Sequence, residues 1–180
     1  MQTLLNTPHE IIQQNILGAA AKAKTRILNI LVLGMMAGSF IAMGAQSSSL
    51  AVHNISNIGL ARTLAGCIFP VGLMMIVFVG GELFTGDCMM SMAWMQRKIH
   101  FADMLRTLVL VYVSNFVGAA LIAFLVAHSG QYDYSSGALG AYTIKVAYGK
   151  VHLSFANALV SGILCNILVC VAVLMAAAAK

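Results

Sequence analysis

Four long apolar runs dominate this sequence and restrict the folds that are open to it. Each is close to the length of about 20 residues that a helix needs to cross a bilayer. Strand-like alternation is absent, which disfavours a membrane β-barrel. The charged fraction of 8% is far below the roughly 25% of soluble domains. The sequence therefore predicts an all-α membrane protein, with spans at roughly 27–46, 64–82, 101–127 and 155–179.

The second span is broken by Gly80-Gly81-Glu82-Leu83-Phe84-Thr85-Gly86-Asp87 and resumes as a short apolar run from 88 to 95. Backbone freed from a helix in hydrocarbon costs several kcal/mol per group, so a break is tolerated only where it packs in protein or lines a cavity. Discontinuous helices are also the best sequence pointer to a transport site. We therefore predict a pore or substrate site at this break.

The side chains of the break suggest how such a site works. We expect Asp87 to cap the half-helix that follows, whose positive N-terminal end favours an anion. Thr85 carries the only hydroxyl in the break and is expected to contact a passing ion. Glu82 is costly at this depth without a partner, so we expect it to tie the loop to neighbouring backbone rather than to transfer protons.

Other residues in the spans allow two interpretations each. Phe69 and Leu73 share the helix face that leads to the break; they fit a constriction, although spacing alone favours core packing. Asn115 and Asn166 each fit an interhelical hydrogen bond or donation to an anion. Lys150, just before the fourth span, is either an ordinary solvated lysine or a cation in a vestibule.

Small residues and one proline add predictions about packing. Gly34 and Gly38 are four residues apart in the first span, which lets another helix backbone approach closely. Pro70 is predicted to lie in the first turns of the second span, where its missing N–H is tolerated. The stretch from 128 to 154, between the third and fourth spans, is predicted to be a polar connection rich in tyrosine and glycine.

Basic residues near the span ends predict the orientation. Positively charged loops stay on the cytoplasmic side, and seven basic residues against three place the N-terminus in the cytoplasm. The majority set is Lys22, Lys24, Arg26, Arg97, Lys98, Arg106 and Lys180, and the minority set is Arg62, Lys145 and Lys150. The basic residues behind the net charge of +5 are scattered along the chain beside the apolar spans, so they indicate topology and not nucleic-acid binding.

Residues 1–26 are predicted to form a cytoplasmic amphipathic helix and not a cleaved signal peptide. Thr7-Pro8-His9-Glu10 is a helix start, with Thr7 as the N-cap and Glu10 as its capping-box partner. Apolar residues then recur at helical spacing, at Ile12, Ile16 and either Ala19 or Ala20. The helix lies either on the membrane surface or on the cytoplasmic face of the protein itself.

Four passages, in this order and on these spans, resemble the formate/nitrite transporter family over essentially all of the chain. They are Gly38-Ser-Phe-Ile-Ala-Met-Gly44, then Phe69-Pro70-Val-Gly-Leu73 with Gly81-Glu-Leu-Phe-Thr-Gly86, then Asn115-Phe-Val-Gly118, and finally Gly162-Ile-Leu-Cys-Asn166-Ile-Leu-Val-Cys-Val-Ala. Each passage alone is weak, but together they are specific. The resemblance implies an aquaporin-like fold of six spans related as an inverted repeat, in a ring of five protomers that each contain a pore.

The resemblance also implies pore roles by position. The cytoplasmic slit is implied at Leu73, Leu83 and Phe84, and one side of the periplasmic constriction at Phe69. The polar residues beside the permeating species are Thr85 and Asn166. The basic residue that attracts anions is Lys150. The break matches the Ω-shaped loop of the family, whose structural residues here are Gly81, Glu82, Gly86 and Asp87.

The fifth span of the family, a second broken helix with a central pore histidine, has no counterpart in these residues. None of the histidines lies in a context that replaces it: His9, His53, His100, His128 and His152. About four of six expected spans are present, and a second half as long as the first predicts about 80 to 90 further residues. We therefore expect the sequence to belong to a longer protein, or to need another chain that completes the pore.

The sequence thus predicts one channel domain over 1–180 that conducts small monovalent anions, formate first, with gating at the Leu83-Phe84-Thr85 loop. Hydrosulfide and nitrite fit the same motifs. Two other hypotheses are a membrane subunit that binds a redox cofactor or partner enzyme, suggested by the loop histidines and the cysteines, and a structural oligomerisation module. We expect no enzyme activity, metal or cofactor. The expected setting is the inner membrane of a prokaryote, as a homopentamer.

Overall fold

The computed structural model describes residues 5–179. Apart from one isolated bridge between Leu5 and Ala179, the secondary structure of these residues is helical. The helices are α1 (Pro8–Lys22), α2 (Ile27–Val52), α3 (Ile58–Ile68), α4 (Val71–Val79), α5 (Phe84–Asp87), α6 (Met90–Met95), α7 (Phe101–Ala127), a 3-10 turn (Gln131–Asp133), α8 (Ala138–Val151) and α9 (Phe155–Ala176). Four segments are long and apolar enough to span a membrane: α2, α3 with α4, α7, and α9. The predicted all-α membrane bundle is confirmed.

The two longest spans, α2 and α7, form the centre of the bundle because glycines bring their backbones together. A Cβ atom added at Gly38 would lie 2.0 Å from the carbonyl oxygen of Asn115. One added at Gly34 would lie 1.9 Å from the Ser114 hydroxyl. From the other side, a Cβ added at Gly118 of α7 would meet the carbonyl oxygen of Met35 in α2. The packing role predicted for Gly34 and Gly38 is therefore confirmed, and the partner is α7.

The second span is interrupted at Phe69 and Pro70, which separate α3 from α4. The prediction that Pro70 lies in the first turns of this span is wrong, because the helix begins much earlier, at Ile58. Asn57 starts it by accepting a hydrogen bond from the Leu60 N–H (3.0 Å). Proline has no N–H to donate, so it sits at the junction between two helical segments and not inside either.

Two further boundaries differ from the prediction. The first span ends at Val52 and not at 46. Polar side chains in its last turns are hydrogen-bonded to neighbouring elements, and Gln46 Nε2 donates to Gln131 Oε1 (3.1 Å). The connection from 128 to 154 is not only a loop, because it contains the whole of α8. Lys180, which was counted among the basic residues that set the orientation, lies outside the described residues.

The first helix begins as predicted and packs on the protein itself. Thr7 Oγ1 accepts from the Glu10 N–H (3.3 Å), while the Glu10 side chain accepts from the Thr7 N–H (2.6 Å), so the capping box is present. Ile16 and Ala19 are buried in one apolar cluster with Met90 of α6. Of the two alternatives for this helix, the structure supports the one in which it packs against one end of the bundle.

The last span, α9, stands at the edge of the described bundle. Its apolar side chains are largely exposed, and it meets the rest of the protein mainly at α5. The N-terminal segment also reaches its end, where Asn6 Nδ2 donates to the Ala177 carbonyl (3.0 Å). An apolar face of this kind suits contact with lipid or with further spans.

Candidate functional site

The break in the second span is a loop that is held firmly by its neighbours. α4 ends at Val79, and Gly80 adopts a φ of 98°, which favours glycine. The chain then runs without helix to Leu83, and α5 supplies a single turn before α6. The Glu82 N–H donates to the Leu33 carbonyl of α2 (3.2 Å), so the loop is anchored to the first span.

Asn115, in the middle of α7, is the second anchor of the loop. Its Nδ2 donates to the carbonyl oxygens of Gly34 (2.8 Å) and Glu82 (2.8 Å). Its Oδ1 accepts from the Phe84 N–H (3.0 Å). One amide therefore joins two spans and the break. Of the two alternatives for Asn115, the interhelical hydrogen bond is confirmed, and the amide is occupied by protein rather than by an anion.

The short helix predicted after the break is present as α6, which covers 90–95 of the predicted run from 88 to 95, but it has no acidic cap. A further single turn, α5, forms within the break itself. Asp87 is the last residue of α5, and α6 begins at Met90 without a side-chain cap. The prediction that Asp87 caps the following helix is wrong, because its carboxylate is drawn into an ion pair instead. The first N–H of α5 is itself taken by Asn115.

Lys22, in the last turn of α1, pairs with both carboxylates of the break. Its Nζ donates to Asp87 Oδ1 (2.7 Å) and to Glu82 Oε2. Asp87 is 1% exposed, whereas the Lys22 side chain is 38% exposed. Glu82 thus ties the loop to its neighbours, through its backbone to the spans and through its side chain to α1. Sequence reasoning missed this partner, although a carboxylate at membrane depth signals that a cation lies close by.

Burial and charge oppose each other in this ion-paired cluster. Burial favours the neutral form of Lys22, but Asp87 and Glu82 outweigh it and raise the pKa of Lys22, which stays charged. Burial raises the pKa of Asp87 to about 7, because the loss of water outweighs the attraction of Lys22. While α1 is docked, Asp87 therefore changes its protonation near neutral pH.

We expect the folded chain to lose stability as the pH rises from about 4 to about 7. A carboxyl whose pKa is raised in the folded state binds its proton more tightly there, so the protonated form favours folding. That contribution is complete below the unfolded pKa and disappears as the pH passes through the folded value of about 7. The melting temperature in detergent, followed over this range, measures the effect.

The matched variants for this titration are Asp87→Asn and Asp133→Asn. Asp133 is exposed in the 3-10 turn, so its replacement should leave the pH profile as it is. Asp87→Asn should flatten the profile. A profile for Asp87→Asn that matches the wild type would show that another group titrates.

Thr85 lies where the break meets α9. Its carbonyl accepts a hydrogen bond from Cys170 Sγ (3.2 Å), which also reaches Asn166 Oδ1 (3.5 Å). The Thr85 hydroxyl is buried and has no hydrogen-bond partner among residues 5–179. Because buried hydroxyls are almost always paired, this oxygen is suited to bind a small molecule that enters the loop. Thr85 and Asn166, which the resemblance relates to one site, are close in the structure.

A cavity of about 330 Å³ lies between the break, α4, α1 and the end of α9. Leu73 and Leu83 line it, and so do Gly86, Lys22 and Asp87. Its volume is at the lower end of the range for ligand pockets, about 300–1,000 Å³. Leu73 and Leu83, two of the three residues predicted to form the cytoplasmic slit, therefore lie in the wall of this cavity, beside the ion-paired cluster.

The two phenylalanines predicted to narrow the pore do not line this cavity. The Phe84 ring packs edge-on against Tyr112 of α7, with 5.4 Å between the ring centroids. Phe69 ends α3 and is 45% exposed. The structure thus places Phe84 between the break and the third span, and Phe69 several turns away from the break.

Lys150 is far from the break. It is exposed in the last turn of α8, directly before α9 begins at Phe155. α9 reaches the break at Cys170, which is 15 residues further on (170 − 155). At about 1.5 Å per residue, the start of α9 lies about 22 Å along the helix from Cys170 and the break. Lys150 precedes that start by five residues, at the end of α9 that is remote from Thr85.

These features define a class of protein. Four spans, one of them interrupted at a loop that two neighbouring helices hold in place, form the kind of architecture that membrane transport proteins use for a substrate site. Within residues 5–179 no group of three or more His, Cys, Asp or Glu side chains is arranged to hold a metal ion. The cysteines in that range are free thiols.

Comparison with known proteins identifies the family to which this chain belongs. The family model described as formate/nitrite transporter matches residues 9–180. A formate channel of Bacillus thuringiensis is 36% identical over 172 residues, which cover 94% of this chain and 66% of that protein. The formate channel of Escherichia coli K12 is 32% identical over 156 residues, which cover 86% of this chain and 55% of that protein. The chain belongs to the formate/nitrite transporter family.

A solved structure shares the fold. A pentameric formate channel with formate bound superposes with a TM-score of 0.74 at 28% identity, over 86% of this chain and 61% of that one. The 180 residues span less than two thirds of the length of these relatives.

Proposed function

We propose that the protein conducts small monovalent anions across a membrane, with formate as the first candidate. The observation that carries the proposal is the loop between α4 and α6, where the buried Thr85 hydroxyl has no hydrogen-bond partner among residues 5–179. Cys170 links the Thr85 carbonyl to Asn166 at the same place. Membership of the formate/nitrite transporter family supports transport as the activity. Relatives named as formate channels support formate as the substrate.

The proposed path passes from the Lys150 end of α9 to the cavity beside α1. Lys150 raises the local concentration of anions at one mouth of the path. Thr85 and Asn166 supply hydrogen-bonding groups near its middle, where the loop meets α9. Apolar side chains narrow the path on either side of them, and these are Phe69, Leu73, Leu83 and Phe84.

The apolar narrowings set the chemical form in which the substrate passes. An unpaired charge is far more costly to bury than a neutral acid, so these side chains favour the protonated acid over the free ion. Permeation is therefore passive or coupled to a proton, and the substrate leaves chemically unchanged. In this proposal the segment Leu83-Phe84-Thr85 is the gate, because it is short, borders the cavity at Leu83 and meets α9 at Thr85. Its position is set by the Phe84 N–H, which donates to Asn115 Oδ1.

The proposed setting is the inner membrane of a prokaryote, as a homopentamer with a cytoplasmic N-terminus. The excess of basic residues at the α1 end of the bundle supports this orientation. The pentameric formate channel that shares the fold supports the assembly. Nitrite is a second candidate substrate, since the description of the family includes it and its size and charge are close to those of formate.

Replacing Thr85 with alanine is expected to change the rate of formate flux or its gating, and to leave expression and oligomeric state as they are. The substitution removes a hydroxyl that makes no hydrogen bond within residues 5–179, so the expected effect comes from the loss of a substrate contact. Flux into proteoliposomes measures the effect. Thr63→Ala is the matched control, because the Thr63 hydroxyl bonds only within its own helix, to the Gly59 carbonyl (3.0 Å). Unaltered flux in Thr85→Ala would remove this residue from the path.

A further inference from the structure

We infer that the turn between α6 and α7 binds the headgroup of an anionic phospholipid. A cavity of about 280 Å³ opens at this turn, at the end of the bundle that also carries α1. Cationic, aromatic and backbone groups meet there, and the lining residues are Trp94, Arg97, Lys98, Ile99, His100 and Phe101. The pore path proposed above does not include any of them.

The cations of this cavity are not neutralised by the protein. The ion pairs among residues 5–179 are those of Lys22, so Arg97 and Lys98 have no carboxylate partner there. Both side chains are exposed. Guanidinium and ammonium groups bind phosphate oxygens strongly through charge-assisted hydrogen bonds. Of the other charged residues near this turn in sequence, Asp103 lies in the first turn of α7, and Arg106 donates to the Thr25 carbonyl (3.0 Å).

The backbone adds to the positive field at the same place. α7, a helix of 27 residues, starts at Phe101 after His100, and His100 makes no side-chain cap. The first N–H groups of a long helix carry partial positive charge and favour phosphate. Arg97 adopts a left-handed conformation with a φ of 56°, while the Lys98 N–H donates to the Ala93 carbonyl (2.9 Å). This turn therefore brings Arg97 and Lys98 beside the start of α7.

The aromatic side chains favour a lipid over a dissolved anion. The rings of Trp94 and Phe101 pack with 5.5 Å between their centroids, and the two residues are 43% and 52% exposed. Met95, beside them, is 76% exposed. Tryptophan concentrates at the membrane–water interface, where its apolar ring meets acyl chains and its N–H meets headgroups. Basic pockets at the ends of membrane helices bind anionic headgroups at this depth.

Fluorescence of Trp94 tests the inference directly, since it is the one tryptophan in the 180 residues. The whole gene product, with any tryptophan outside these residues changed to phenylalanine, is placed in phosphatidylcholine vesicles. A low, equal mole fraction of brominated phosphatidylglycerol or brominated phosphatidylcholine is then added as the quencher. We expect stronger quenching by the brominated phosphatidylglycerol. The double variant Arg97→Gln, Lys98→Gln should lower that preference at least about fivefold, since each cation near an anionic surface contributes about 1 kcal/mol.

The matched control is the double variant Arg62→Gln, Lys145→Gln, which removes one arginine and one lysine elsewhere in the bundle. It should retain the preference for phosphatidylglycerol. Two results would overturn the inference: no preference in the wild-type protein, or an unchanged preference in Arg97→Gln, Lys98→Gln. Where the preference is absent, a change in Trp94 emission on adding millimolar inorganic phosphate would assign the cavity to a dissolved phosphate and not to a lipid.

Discussion

Exchange of Gly38 for alanine is expected to destabilise the bundle by about 3 kcal/mol, the upper end of the usual cost of overpacking. The added Cβ would lie 2.0 Å from the carbonyl oxygen of Asn115, whereas real Cβ atoms essentially never approach closer than 3.0 Å. The obstructing atom belongs to the backbone, so no rotamer change relieves the contact. α2 and α7 must therefore separate by about an ångström along their shared seam.

Unfolding of Gly38→Ala in mixed micelles, followed by circular dichroism, measures this loss. Gly66→Ala is the matched control, because Gly66 is also helical but a Cβ there meets nothing within 4 Å. Alanine favours a helix by about 1 kcal/mol over glycine, so the control should unfold at the wild-type point or slightly above it. If Gly38→Ala were as stable as Gly66→Ala, the close α2–α7 contact would not exist in the protein.

Exchange of Asn115 for leucine is expected to release the break while the spans remain helical. The amide makes three hydrogen bonds, and its loss leaves the Glu82 carbonyl and the Phe84 N–H without their partner. The Gly34 carbonyl, its third partner, keeps the helical hydrogen bond within α2. Each buried group left unpaired costs about 1–3 kcal/mol. Both unpaired groups belong to the loop, so we expect hydrogen exchange to rise most strongly in residues 82–87 and formate flux to lose its gating.

Two further variants separate this effect from a general loss of packing. Asn157→Leu makes the same change in α9, at an exposed side chain, and should leave exchange in the loop unchanged. Asn115→Asp, protonated because a carboxylate facing two carbonyl oxygens is costly to bury, keeps an acceptor for the Phe84 N–H and one O–H donor. It should therefore fall between the wild type and Asn115→Leu. Equal exchange in the loop of wild type and Asn115→Leu would show that another group positions it.

Local patterns explain which parts of the fold the sequence predicts. The capping box at Thr7 and Glu10 depends on residues three apart, and it forms as expected. The glycine pair Gly34 and Gly38 marks a contact face, but the pair does not say which helix fills it. Pro70 was misplaced because Asn57 starts the helix well before the most apolar residues. Local signals thus predict elements better than their exact ends.

The contacts that define the site are distant in the sequence. Lys22 lies 60 and 65 residues from its partners Glu82 and Asp87. In the sequence alone, a basic residue beside a span indicates only topology. Asp87 was expected to cap a helix, since an acidic residue near a helix start often does so. Once α1 packs beside the break, the charge of Lys22 is the stronger partner. The burial of the Thr85 hydroxyl likewise depends on how α9 meets the loop.

The most direct test of anion conduction is the flux of anions into proteoliposomes that contain the whole gene product, measured by stopped flow. Formate, nitrite, hydrosulfide and chloride are compared with protein-free vesicles under the same gradients. We expect rapid formate entry and a much smaller flux of chloride, which has no protonated form near neutral pH that can cross the apolar narrowings. Formate entry no faster than in protein-free vesicles, or no faster than that of chloride, would rule out the proposed function.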